Sequence, residues 1–363
     1  MENMELSYYR GKRVFVTGHT GFKGSWFINV LKVLGAEVKG YALDPCAGKN
    51  PYRLVVGERA LDSEINDIRD ADALKEAIRA FKPDFVFHMA AQPLVKASYS
   101  DPLYTYQVNV IGTANLLMAL KGLDKTCSCV VITTDKVYEN KEWHYPYRET
   151  DRLGGYDPYS SSKACTELVT SSLRSSFFNL ENYGRDHAIS IACARAGNVI
   201  GGGDYSENRV IPDFVRAIER NKPLVMRNPY AIRPWQHVLE PLFGYLELGV
   251  SLAENPVAYS EGWNFGPSDK SEKTVLEVIN KIIECWGKGE YRIEADQQGH
   301  HEAGLLKLDI SKTVNRLNWK PMLGFDTTLA WTSYWYIKES EGAVSMVDFS
   351  IKQIEEYLQM KKS

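Results

Sequence analysis

The sequence lacks any apolar run long enough to cross a bilayer, which argues against a membrane-spanning helix. Its first residues, MENMELSYYRGKR, are polar and acidic where a secretory leader would be basic and then apolar. The six cysteines (Cys46, Cys127, Cys129, Cys165, Cys193 and Cys285) show no metal-ligand spacing, so neither a metal centre nor a disulfide framework is expected. Buried thiols in a reducing, cytoplasmic setting are the expectation instead. The 43 Lys and Arg residues stand against 46 Asp and Glu, a net charge of −3, with no basic stripe to serve as a nucleic-acid footprint. Internal repeats and low-complexity tracts are absent. No nucleic-acid or membrane partner is predicted; the ligand is expected to be small.

What is present is an ordinary globular composition, 44% apolar and 25% charged over 363 residues, enough for a full core in one large or two smaller domains. The first half alternates β-branched runs with amphipathic segments. Strands are predicted at 13–17, 37–43, 84–89, 129–134 and 189–195, with helices at 23–34, 71–81, 105–122 and 160–178 between them. Such alternation predicts a doubly wound α/β fold, a parallel sheet covered on both faces. After residue 196 the pattern changes to a glycine-dense loop (197–204), a helix at 212–220 and a mixture of short elements. We read residues 1–195 as a dinucleotide-binding Rossmann domain, and 196–363 as a smaller mixed α/β substrate-binding region. The two are interleaved without a clean linker, and part of 235–265 is expected to return to the first.

Gly18, Gly21 and Gly24 follow the first predicted strand and open the first predicted helix. The turn needs backbone angles that suit glycine, the middle position lets main chain approach a pyrophosphate, and the last allows close helix–strand packing. The helix N-terminus then presents amide donors to the phosphates. Asp44, 20 residues beyond Gly24, is placed to accept hydrogen bonds from a ribose diol and to repel a 2′-phosphate, which favours NAD over NADP. Asp67 and Ile68 are candidates for contact with an adenine edge, or simply the start of a helix. Lys23 is expected to face the phosphates, or else to be a solvated helix lysine.

Tyr159 and Lys163 lie four residues apart, on one helical face. A free phenol, with a pKa of about 10, is a poor base at neutral pH, and a neighbouring cation lowers that pKa. The pair follows Thr133-Thr134 at the end of a predicted strand, the side of an open α/β sheet where ligands bind.

With these residues the chain resembles the extended short-chain dehydrogenase/reductase family over essentially its whole length. The glycine triplet, His88-Met89-Ala90-Ala91, Asn109, Thr134 and Tyr159-x-x-x-Lys163 fall in the family's order. The resemblance implies hydride transfer at a sugar-nucleotide carbon, with Ala90, Ala91 and Asn109 beside the cofactor. Asp135-Lys136, directly after Thr134, resembles the acid–base pair that the family's nucleotide-sugar 4,6-dehydratases place there. Most of these carry Asp-Glu; the lysine resembles the branch acting on CDP-glucose. So do GHTGFKGSW (18–26, with His19, Phe22, Lys23 and Trp26), AAQPLV, TTDKVYEN, RAGNVIGGGD and RPWQHV.

The implied cycle has Tyr159, aided by Lys163, take the 4-hydroxyl proton while Thr134 holds that oxygen. Asp135, protonated, then donates to the leaving 6-hydroxyl. Lys136 removes the C5 proton or stabilises the enolate, with Glu139 as another candidate base. Gln92, Asn198, Arg209 and Arg233 are implied on the substrate side. Some relatives carry an arginine after a Gly-His-Asp stretch; residues 299–303 lack it, and Lys307 is a candidate replacement. No second ligand accompanies His301, so no metal is read there. A homodimer or homotetramer through 105–120 and 160–178 is implied, as is deoxysugar synthesis for a surface polysaccharide (lipopolysaccharide O-antigen). A 4-epimerase or a dehydratase of another nucleotide hexose shares most of these features. A catalytically silent NAD-binding module is a more remote alternative. The choice of cytosine rests on the resemblance alone.

Overall fold

The computed structural model describes residues 7–45, 47–59, 61–268, 272–294, 304–317 and 319–362. Its centre is a parallel sheet of β1 (Arg13–Thr17), β2 (Glu37–Ala42), β3 (Asp62–Ile65), β4 (Phe85–His88), β5 (Cys127–Ile132), β6 (Ile189–Ala196) and a seventh strand, Gly262–Phe265. From the Gly262–Phe265 edge the order is then β6, β5, β4, β1, β2 and β3. All six pairings are parallel. The order reverses between β1 and β4, where Thr17 pairs with His88, and the crevice at such a switch point is where doubly wound sheets bind ligands.

Alternation along β1 explains the layering. Val14 and Val16 face one apolar layer with Phe87 and Val130, closed by the helices Phe22–Val33 and Leu239–Glu254. Phe15 faces the other, with Val86 and Val131, closed by Ala71–Phe81 and Gly112–Leu120. Strands β4, β5 and β6 are buried throughout, as expected of a sheet covered on both faces.

The predicted elements appear within a few residues of their expected limits, and three features differ. Strand β3, Asp-Ser-Glu-Ile, was not expected: it is a polar edge strand with no apolar alternation to betray it. The strand Gly262–Phe265 lay hidden among aromatic-rich loops, yet it pairs with β6 from Cys193 to Ala196. The helix expected at 105–122 is a run from Pro102 to Leu120 with a wider π turn at Gln107–Ile111. On the substrate side, the helix Val210–Glu219 packs on the strand Leu224–Met226 of a two-stranded ribbon. The helix Leu239–Glu254 belongs to the second half of the chain but packs on the sheet of the first.

Candidate active site

A cleft of about 1230 Å³ follows the carboxyl ends of the central strands. Its wall runs from Ala42, Leu43, Asp67 and Ile68 past Gly18, Thr20–Gly24 and Thr133–Lys136 to Leu224–Asn228 and Arg233.

Gly18 has φ +74°, and a Cβ there would sit 2.6 Å from the Ala90 nitrogen. A Cβ on Gly24 would sit 2.2 Å from the Gly18 carbonyl oxygen. The turn therefore folds tightly only with glycine at both positions. The helix Phe22–Val33 starts at Gly21 without a side-chain cap, and Gly21, Phe22, Lys23 and Gly24 line the cleft. Amide donors of its first turn remain for an anion. Ala90, packed against Gly18, and Ala91 line the cleft beside the turn. Both have small side chains, so this cradle suits the pyrophosphate and nicotinamide of a dinucleotide. Asp44 is exposed immediately after the wall residues Ala42 and Leu43. Asp67 lines the cleft with its carboxylate held by Arg69 at 2.7 Å, which lowers its pKa. The helix start expected there lies further on, where Asp70 caps Ala71–Phe81. Ile68 lines the cleft but also belongs to the apolar layer under it.

Four expected contacts are corrected. The His19 ring is fully buried beneath the turn, with Nε2 2.7 Å from the Ser63 hydroxyl. It ties the turn to β3 and does not line the cleft, because Gly40 leaves the space into which the ring folds. Asn109 turns inward as well: its Oδ1 accepts from the Gln92 amide at 2.9 Å, and its Nδ2 donates to the Ser162 hydroxyl at 2.8 Å. Gln92 does the same, donating to the Thr105 hydroxyl at 2.9 Å and accepting from the Leu94 amide at 2.7 Å. Both are polar staples behind the wall: Asn109 spends both Nδ2 hydrogens and one Oδ1 bond on protein, and Gln92 spends one donor and one acceptor. Finally, Lys23 lies toward the reaction side. Its ammonium is 3.2 Å from the Tyr245 hydroxyl, and its charged neighbours are Arg209, Lys163 and Asp135. Burial lowers its pKa to about 7.

The reaction side is built from two elements. A 3-10 turn, Asp135–Val137, follows β5 directly and is capped by Thr134. The helix Pro158–Phe177 begins with Asp157, which accepts from the Ser160 amide at 2.9 Å, and carries Tyr159 and Lys163 one turn apart. The Thr134 hydroxyl donates to Asp135 Oδ1 at 2.9 Å, and its side chain is a neighbour that pulls the Tyr159 pKa downward. Asp135 is 1% exposed and its Oδ2 has no hydrogen-bond partner among the described residues. Burial raises its pKa against the pull of Lys136, Thr134, Arg233 and Lys23. Lys136 lines the same cleft.

The expected lowering of the Tyr159 pKa by Lys163 is not what the geometry gives. Burial dominates and pushes the phenol up to about 12, with Thr134 and Arg209 opposing. Lys163 donates instead to the Ile132 carbonyl at 3.1 Å, and burial brings its pKa down to about 8. Glu139 lines the cleft but is held by Lys141 at 2.6 Å and Arg152 at 3.2 Å. Its pKa is lowered, which makes it a poor base.

Asn198, Arg209 and Arg233 all reach the substrate-side wall. Arg209 is held by Asp204 at 3.0 Å, and Arg233 is buried and donates to the Ile232 carbonyl at 2.9 Å. Lys307 is not among the wall residues; residues 299–303, including His301, lie outside the described residues. The sequence reading missed the wall segment Leu224–Asn228 and the buried partners Tyr138, Glu167 and Arg195. The last two carried one signal, being charged residues within otherwise apolar or small-residue elements.

Comparison with known proteins agrees with this geometry. Residues 15–332 match the family model described as GDP-mannose 4,6 dehydratase. CDP-glucose 4,6-dehydratase of Salmonella typhimurium is 47% identical over 355 residues, covering 98% of each chain. The solved dTDP-glucose 4,6-dehydratase of Streptomyces venezuelae, with NAD bound, superposes with a TM-score of 0.77 at 24% identity, covering 92% of this chain and 99% of that one. UDP-glucose 4-epimerase of Thermus thermophilus in complex with NAD gives 0.75 at 25% identity, over 92% and 100%. With its parallel sheet, glycine turn and Thr134, Tyr159 and Lys163 in one cleft, the chain belongs to the GDP-mannose 4,6-dehydratase family, within the extended short-chain dehydrogenases/reductases.

Proposed function

We propose that this protein is an NAD-dependent hydro-lyase that converts CDP-glucose to CDP-4-keto-6-deoxyglucose and water. One observation carries the reading: a buried carboxyl with a raised pKa and an unpartnered oxygen, Asp135, directly follows Thr134 in the cleft of Tyr159 and Lys163. Epimerisation at C4 needs only the last three; loss of water across C5–C6 needs an acid for the departing hydroxyl. The 47% identity to the Salmonella typhimurium CDP-glucose enzyme supports cytosine as the base.

The Gly18–Gly24 turn would hold NAD, with Asp44 available to its ribose, and the bound cofactor would supply a hydride acceptor for C4 and a donor for C6. The chain's own groups manage the protons. Tyr159, whose phenol burial favours in the neutral form, would act as its phenolate to take the 4-hydroxyl proton, with Thr134 holding the oxygen and Lys163 offsetting the negative charge. The 4-ketone acidifies the C5 proton. Asp135, kept protonated by burial, donates to the departing 6-hydroxyl, so that water leaves. Lys136, on the same wall, stabilises the enolate or takes the C5 proton, and a proton is returned to C5 as the hydride reaches C6. Asn198, Arg209 and Arg233 suit the diphosphate, guanidinium groups matching phosphate geometry.

The pairing surface fits the helices Pro102–Tyr106, Gly112–Leu120 and Pro158–Phe177, which expose Leu103, Met118, Leu168 and Phe177, with a second copy as partner. A cytoplasmic homodimer or homotetramer in deoxysugar synthesis for a surface polysaccharide accords with this reading.

Incubation with CDP-, UDP-, GDP- and dTDP-glucose tests it. Formation of a 4-keto-6-deoxy product from CDP-glucose, without net NADH, is expected. Formation of a galactose epimer would contradict it.

A further inference from the structure

Tyr159, Lys163 and Glu167 recur every four residues on the helix Pro158–Phe177 and so share one face, all three buried. The first two belong to the reaction. Glu167 does not line the cleft and has a separate set of partners. Its Oε1 accepts from the Thr133 hydroxyl at 2.7 Å and from Arg195 Nε at 2.8 Å. Its Oε2 accepts from Arg195 Nη2. Arg195, on β6, then donates from Nη1 to the Tyr138 hydroxyl at 2.7 Å. The Tyr138 hydroxyl in turn donates to Asn264 Oδ1 at 2.7 Å, anchoring the chain of bonds on the strand Gly262–Phe265. A Cβ on Gly262 would sit 2.9 Å from Arg195 Nη2, so that strand leaves room for the guanidinium where the pair needs it.

Thr133 and Tyr138 are the residues immediately outside the 134–137 segment, which carries Thr134, Asp135 and Lys136. We propose that the Glu167–Arg195 ion pair is a positioning device that clamps this acid–base segment at both ends. It rests on the dehydratase reading above, and it adds Glu167, Arg195 and Tyr138 as positioning residues for the elimination. Two buried charges removed from water need excellent geometry to be tolerated; here five side chains supply it, in a network whose bonds reinforce one another. Its effect is exerted at the groups it holds, because small misplacements of reacting groups lower rates steeply. The tie at Thr133 adjoins the residue that holds the 4-oxygen. The tie at Tyr138 follows the residues that serve the later loss of water.

Tyr138→Phe separates the two ends. It removes one hydroxyl while keeping the ring stacked on Tyr147, whose centroid is 5.0 Å away. The variant and the wild-type holoenzyme are mixed with CDP-glucose, and reduced nicotinamide and keto product are followed together. The expected result is a kcat lower on the order of tenfold or more, with KM unchanged. Enzyme-bound reduced nicotinamide should accumulate, because C4 oxidation continues while elimination slows. A merely structural role would not produce that signal. Arg195→Lys, too short and unforked to reach Glu167 and Tyr138 together, is expected to accumulate it as well. Wild-type kcat in Tyr138→Phe, or a fall without accumulation, would overturn the clamp alone. Absence of keto product from the wild type would overturn the dehydratase reading instead.

Discussion

At the Gly18–Gly24 turn the chain makes a site by leaving side chains out, whereas around Thr134–Lys136 it makes one by burying charged side chains. Gly18 and Gly24 are positions where a single Cβ would meet backbone at 2.6 and 2.2 Å, so the cofactor wall is mostly main chain. The reaction wall holds Asp135, Lys163 and Arg233, each less than a tenth exposed. The contrast follows from the ligands' chemistry. A pyrophosphate is held by amide donors that any backbone offers once nothing obstructs them. Proton transfer needs particular groups whose pKa values are moved by burial and neighbours.

The largest expected effect breaks the reaction wall. Tyr159→Phe keeps the ring and removes the proton acceptor, so kcat falls on the order of 10²- to 10⁴-fold, and no reduced nicotinamide forms on mixing with substrate. Asp135→Asn is expected to allow that oxidation and stall the elimination, leaving enzyme-bound NADH; turnover at the wild-type rate would contradict its role as the acid. Next comes the cofactor wall. Gly24→Ala forces the turn open, costs about 1–3 kcal/mol in stability, and abolishes retention of NAD in equilibrium dialysis. An alanine variant that binds NAD normally would show that the wall has slack.

A pH series tests what the two walls share, namely buried histidines beneath them. Burial holds His19 down to about 4 and both His88 and His237 to about 3. In the unfolded chain an imidazole takes its proton near 6.5. The unfolded state therefore binds more protons below that pH, and stability falls as pH drops from 6.5 toward 3–4. The raised carboxyl of Asp135 works in the opposite direction at the acid end. Between pH 7 and 5 the melting temperature is expected to fall by on the order of 5 °C or more. A flat profile would contradict neutral, buried rings. The smallest effect is expected from Glu139→Gln. That carboxylate is already held by Lys141 and Arg152, so kcat should stay within about twofold, as for an ordinary surface substitution. A loss of a hundredfold would make Glu139 the C5 base.

The same contrast explains what was legible in the sequence. A turn made by omission shows in one dimension, since only glycine satisfies it, and Tyr159 and Lys163 show by helical spacing together with their place after Thr133-Thr134 at the end of a predicted strand. The direction a polar side chain takes is not written in its identity. His19, Gln92 and Asn109 stand in the expected stretches, yet each turns away from the cleft to bond protein. Whether Lys163 lowers the phenol pKa depended on the balance of desolvation, which spacing does not encode. Strand β3 escaped because its Asp-Ser-Glu-Ile sequence lies at a sheet edge, with no alternation of apolar residues. The Glu167–Arg195 pair escaped because its partners come from three elements brought together only by the fold.

The central claim is that one hydride leaves C4 and returns at C6 of the same sugar, while the chain's acid and base remove water between. Conversion of CDP-glucose deuterated at C4 tests it most directly. The account predicts a 4-keto-6-deoxy product with the deuterium at C6 and no net NADH. Deuterium retained at C4 in an epimer, or lost to solvent, would contradict it.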